Sequence, residues 1–155
     1  MLKVEKDFEE FVELLNKFSV EYMIVGAYAL ALYSRPRNTG DIEVFINSSS
    51  KNAKQIIKVI EEFGFENAGI EENDFITRGR IVQLGVSPVR SDIINEIDGI
   101  KFLDAYKRKE IFQFGNVSAN FISRQDIIAN KKASNRKKDQ ADLDELEKFN
   151  DGDKP

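Results

Sequence analysis

The sequence predicts an α/β (α+β) domain in which a mixed β-sheet is flanked by helices, and two observations carry that prediction. Helical and strand periodicities alternate along nearly the whole chain, and turn or cap residues (Gly26, Pro36, Gly64, Gly79, Ser87-Pro88, Ser123) fall at the joints between them. A length of 155 residues suits one domain with a real core. Residues 1–149 are expected to form it, with 150–155 as a frayed tail. There is no internal repeat and no low-complexity linker.

Phe8, Phe11, Val12, Leu15 and Phe18 recur at helical spacing and predict a first helix over 6–18. Residues 22–25 are a short apolar run ending at Gly26, as in a buried strand. Residues 27–33, rich in Ala and Leu, predict a helix that Pro36 terminates. Residues 41–46 alternate acidic and apolar side chains, with Phe45 the one breach in the polar face. Ser48 to Ser50 supply a cap for a helix through Phe63, closed by Gly64. Strands are expected at 74–78, 80–86 and 90–95, a short helix at 102–108, and strands at 110–114 and 117–122. Ser123 reads as the N-cap of a helix through 133, and a last helix spans 137–148. Phe112 and Phe114 suit either the core or an interface.

Absences narrow the chemistry. Without cysteine there are no disulfides, thiolate nucleophiles or cysteine zinc sites, and without histidine the usual general base is gone. Any metal must be held mainly by oxygen, which favours Mg²⁺, Mn²⁺ or Ca²⁺. A net charge of −4 argues against wholesale nucleic-acid binding. No apolar run is long enough to cross a membrane, and the acidic start is unlike a signal peptide, so a cytoplasmic protein is expected. Lys131, Lys132, Arg136, Lys137 and Lys138 form a basic block beside acids from Asp139 to Glu147; the plain reading is a solvated helix surface.

Asp41 and Glu43, two apart on a strand, leave the same face with about 7 Å between their α-carbons. Two such carboxylates repel unless a cation or solvent separates them. The Gly26-Ala27 step into a helix places backbone N–H groups ahead of that strand, where an anion can be met. Arg35 and Arg37 sit in the intervening loop, and Asp92 interrupts an apolar strand. Acids, cations and a helix N-terminus are what phosphoryl-type transfer requires.

The run Val25-Gly-Ala-Tyr-Ala-Leu-Ala-Leu-Tyr33, followed by Arg37-Asn-Thr-Gly-Asp-Ile-Glu-Val44, resembles the signature of the DNA polymerase β-like nucleotidyltransferase superfamily. More narrowly, three blocks resemble minimal AbiEii-type nucleotidyltransferases. They are Arg37, Thr39, Asp41 and Glu43; then Gly85, Val86, Pro88, Arg90, Asp92 and Ile93; then Lys131, Ala133, Arg136, Lys138, Asp139, Asp142 and Leu143. The resemblance implies the nucleotidyltransferase fold and transfer of a nucleoside monophosphate from an NTP to an acceptor hydroxyl, with ATP, CTP, GTP and UTP all open. It implies that Asp41, Glu43 and Asp92 are catalytic and bind Mg²⁺ or Mn²⁺. It assigns nucleotide contacts to Gly26, Ala27, Arg37, Thr39, Lys131, Arg136 and Lys138. Arg37 either steers phosphate or pairs structurally with an acid, and Asp139 and Asp142 are expected simply to pair with the bases.

Ala27 stands where catalytic members carry Ser or Gly, keeping the turn but losing a phosphate contact of about 1–3 kcal/mol. Glu43 lengthens the arm of the usual Asp and resembles the aminoglycoside nucleotidyltransferases. The acceptor class implied is a nucleic-acid end, a small molecule or a protein side chain. A homodimer or a small partner protein would complete its site. The alternative is a catalytically weak or inactive module of the same fold, binding a partner as an antitoxin-like subunit of a toxin–antitoxin pair does.

Overall fold

A computed structural model describes residues 4–35 and 40–148. Its elements run α1 (Lys6–Lys17), β1 (Tyr22–Val25), α2 (Gly26–Tyr33), β2 (Asp41–Ile46), α3 (Ser50–Glu62), α4 (Asn73–Ile76), β3 (Ile81–Val86), β4 (Val89–Ile94), α5 (Phe102–Lys107), β5 (Glu110–Phe114), β6 (Val117–Phe121), α6 (Arg124–Ser134) and α7 (Lys137–Lys148). The strands form one six-stranded sheet ordered β3-β4-β2-β1-β6-β5. Pairing is mixed: β2–β4 and β1–β6 are parallel, and the remaining neighbours are antiparallel.

Both faces of the centre of this sheet are covered, so β1 reads Tyr-Met-Ile-Val with no polar position and is buried throughout. Phe8, Phe11, Val12 and Leu15 of α1 and Ala53, Ile56 and Ile60 of α3 enter the core. The helices start as the sequence predicts. Ser49 accepts from Asn52 N–H to cap α3, and Ser123 accepts from Asp126 N–H to cap α6. Phe114 is fully buried and Phe112 packs half-buried against the same core, so both belong to the interior.

Two expectations are corrected. Residues 74–78 are not a strand; Asn73–Ile76 form the short helix α4. Asp74 accepts from Glu71 N–H, and the buried Asn95 side chain donates to the Phe75 and Thr77 carbonyls. These side chains satisfy the backbone locally, which a sheet partner would otherwise do. The basic block near the C-terminal end is also not simply solvated, because Lys131, Asp139 and Asp142 are buried between α6 and α7. The turn that permits this is Asn135, left-handed at φ 50°, which reverses the chain after α6.

Candidate active site

In-register parallel pairing of β2 with β4 sets Asp41 beside Arg90 and Glu43 beside Asp92. Side-by-side residues in a parallel pair share a face, so the acidic pair of β2 and the Arg90–Asp92 pair of β4 become a four-residue patch of three acids and one base. On the far side of β2, Val25 is the register partner of Glu43, and α2 starts at the next residue. The first backbone N–H groups of α2 therefore lie beside the Glu43 carboxylate. Further along the same face Phe45 is buried edge-on against Phe102 of α5. The acidic face is thus polar at its Asp41 end and apolar from Phe45 onward, which explains the apparent breach in its alternation.

Arg90 organises the patch. Its Nε donates to Asp92 Oδ1 at 2.8 Å, and its Nη2 donates to Asp92 Oδ2 at 3.1 Å and Asp41 Oδ2 at 3.0 Å. Ser87 Oγ donates to Asp41 Oδ1 at 3.5 Å. Among the described residues no group of three acidic side chains converges as a ready metal cage. The reason is visible in the bonding: a guanidinium draws Asp41 and Asp92 toward itself. The donors present are three carboxylates on one face, the oxygen ligands that hard divalent cations take, with the Arg90 guanidinium held between two of them.

Glu43 is the strained member. Its carboxyl is raised above the ordinary value, first by burial and then by the Asp92 charge, while Lys131 and Lys138 act in the opposite direction. A carboxyl raised in the folded state binds more protons folded than unfolded. Its penalty on stability is absent below the unfolded pKa, grows as pH rises through the folded pKa, and persists above it. Glu43→Gln is therefore expected to raise Tm at pH 7 in chelator-treated protein, by about 2–4 °C for a relief on the order of 1 kcal/mol. The gain should vanish below about pH 4, where the wild-type carboxyl is protonated in both states. Melting curves at the two pH values check this, and a gain that is the same at both would point away from ionisation.

The second half of the expected site is built from the C-terminal helices. Lys131 Nζ lies 3.2 Å from Asp139 Oδ1 and 3.3 Å from Asp142 Oδ2. Arg136 Nε meets Asp139 Oδ2 at 3.0 Å on the exposed side. Asp139 and Asp142 thus pair with the basic block, while Lys131 and Lys138 remain close enough to act on Glu43. Ala27 is the second residue of α2, with no hydroxyl to offer. Arg37 and Thr39 lie outside the described residues. Sequence reasoning missed the bridging role of Arg90; its signal was the Arg90–Asp92 spacing of two, the same that marked Asp41 and Glu43.

A lincosamide antibiotic adenylyltransferase, solved with lincomycin bound, superposes on this chain with a TM-score of 0.56 over 95% of this chain and 98% of its own. The fold is that of a nucleotidyltransferase. At 11% identity the likeness is one of fold, carried by layout rather than by residues. No protein-family model matches the sequence, and no curated protein does. The nucleotidyltransferase fold here accommodates the acidic patch at the β2–β4 seam, beside the N-terminus of α2. No helix among the described residues is long and apolar enough to cross a membrane.

Proposed function

We propose that this chain transfers a nucleoside monophosphate from an NTP to an acceptor hydroxyl, with Asp41, Glu43 and Asp92 holding Mg²⁺ or Mn²⁺. The observation that carries the reading is the register that gathers these three carboxylates on one face beside the α2 N-terminus. The bound cation would lower the acceptor pKa and neutralise the leaving pyrophosphate. The chain's own groups supply positioning. Backbone N–H groups from Gly26 onward receive phosphate oxygens, and the helix dipole favours their charge. Lys131 and Lys138 add positive field behind Glu43.

The acceptor is proposed to be a small molecule. A neighbour of matching length acts on a lincosamide antibiotic, which makes ATP and a hydroxyl-bearing small molecule the first pair to test. The narrower AbiEii-type assignment would instead place the chain in a toxin–antitoxin pair. Ala27 favours the second reading, a weak or inactive module that binds a partner, because it lacks the hydroxyl that would hold a phosphate.

Calorimetric titration of ATP, CTP, GTP and UTP, with and without Mg²⁺, separates these readings. At least one nucleotide is expected to bind only with metal, and Asp41→Ala is expected to remove that binding from a folded protein. Absence of any nucleotide binding to folded wild type would sink the enzymatic reading and leave the partner-binding module.

A further inference from the structure

We propose that Arg90 is a resident counter-cation that competes with the divalent metal for Asp41 and Asp92 and must release them before metal can load. The inference rests on the reading above and extends it to the control of the same site. Both oxygens of Asp92 accept from the guanidinium, and Nη2 is shared between Asp92 Oδ2 and Asp41 Oδ2. These are the oxygen lone pairs that a divalent cation would use. Mg²⁺ demands oxygens at about 2.0–2.1 Å in near-octahedral array, which a guanidinium between the two acids prevents.

The arrangement has the form of a two-position device. Asp92 is buried, and its charge is satisfied by Arg90 when no metal is present. The Arg90 side chain is itself 28% exposed, so it has an open route toward solvent when the acids are taken. Gly85 is its register partner on β3 and has no side chain to confine it there. Metal affinity is then the intrinsic affinity reduced by the fraction of molecules in which the guanidinium has let go.

Charge alone would also weaken metal binding, and the fork geometry separates the two ideas. A lysine at this position keeps the charge but cannot hold both carboxylates as a planar fork does. Under competition, R90Q is expected to bind Mn²⁺ about tenfold more tightly than wild type, and R90K several-fold more tightly. Under a purely electrostatic effect R90K would match wild type. Nucleotide-free calorimetry with Mn²⁺ reads the affinities.

A second measurement needs no variant beyond those used for assignment. In ¹⁵N spectra of wild type the Arg90 Nε–H resonance should shift and exchange faster as Mg²⁺ is added, because its acceptor on Asp92 is withdrawn. An Nε–H resonance unmoved at saturating Mg²⁺, or Mn²⁺ affinities equal in wild type and R90Q, would overturn the proposal. If that occurs while wild type still binds nucleotide with Mg²⁺, the nucleotidyltransferase reading stands without the gate. If neither metal nor nucleotide binds any of the three proteins, both fall.

Discussion

Asp139→Ala is expected to destabilise the protein by about 3–5 kcal/mol, a drop of about 6–20 °C in Tm, although the residue lies outside the acidic patch. Asp139 is fully buried and collects four donors: Lys131 Nζ, Ser134 Oγ, and the Nε and backbone N–H of Arg136. Burial pushes its carboxyl up, but the bonds from Ser134, Arg136 and Lys131 outweigh that and hold it below the ordinary carboxylate range. Alanine leaves the buried Lys131 ammonium with Asp142 as its remaining ion-pair partner among the described residues. An incompletely paired buried charge is what makes breaking such a cluster expensive. Because the folded pKa is depressed, the stabilisation is complete above the unfolded pKa and is lost as pH falls toward the folded one. The gap between wild type and variant should therefore narrow at pH 3 compared with pH 7. A difference of less than about 2 °C at pH 7 would show that α7 is held by its apolar contacts and not by this cluster.

The cluster also marks where sequence reading stops. Helical spacing and charge placed Lys131 and Asp139 on two consecutive helices, and Ser123 was recognisable as a cap from its own chemistry. Their burial depended on Asn135 taking a left-handed conformation that folds α7 back on α6, and nothing local forces an asparagine to do so. The acidic strand was legible for the opposite reason: alternation of period 2 in residues 41–46 is a local property that any sheet must respect. Which strand lies beside it is a long-range fact. Asp92 was legible as an acid interrupting an apolar strand and through the motif resemblance. The spacing of two between Arg90 and Asp92 did not say that the guanidinium would also reach Asp41 on the neighbouring strand. Residues 74–78 failed in the same way. The Asn95 side chain that satisfies the Phe75 carbonyl comes from 20 positions away.

Two neighbouring charge systems, the buried cluster between α6 and α7 and the acidic patch at the β2–β4 seam, share a long-range field. Lys131 is needed internally by Asp139 and Asp142, yet it also lowers the cost of ionising Glu43. A lysine so committed acts on the patch through its charge and need not move. Arg90, by contrast, bridges the buried Asp92 and the half-buried Asp41 from a side chain that is itself partly open to solvent, the position proposed above for a cation that gives way to another. The contrast predicts which residue is the framework and which is the switch.

Gly26 lies where the two requirements of the site meet, and Gly26→Ala is expected to separate them. Its φ of +69° is a conformation that glycine adopts freely and alanine resists by about 1–2 kcal/mol. A β-carbon at this position would stand 2.6 Å from Glu43 Oε2 and 3.0 Å from its Cδ. The obstructing atoms are the tip of a flexible side chain, so the clash is relieved by Glu43 turning aside rather than by unfolding. The expected loss of Tm is accordingly modest, about 2–8 °C. The effect on binding should be much larger, because the displaced carboxylate leaves the face it shares with Asp92 and the new methyl group crowds the phosphate approach to α2. Loss of one charged contact of this kind costs about 1.5–3 kcal/mol, so the Mg²⁺-dependent nucleotide affinity is expected to fall by about 10- to 100-fold. Shortening the opposing arm provides the internal control. In a Glu43→Asp background the clash is relieved, so the same glycine substitution should cost less binding than it does alone. Equal losses in both backgrounds would place the damage in the backbone turn itself and not in the contact between Gly26 and Glu43.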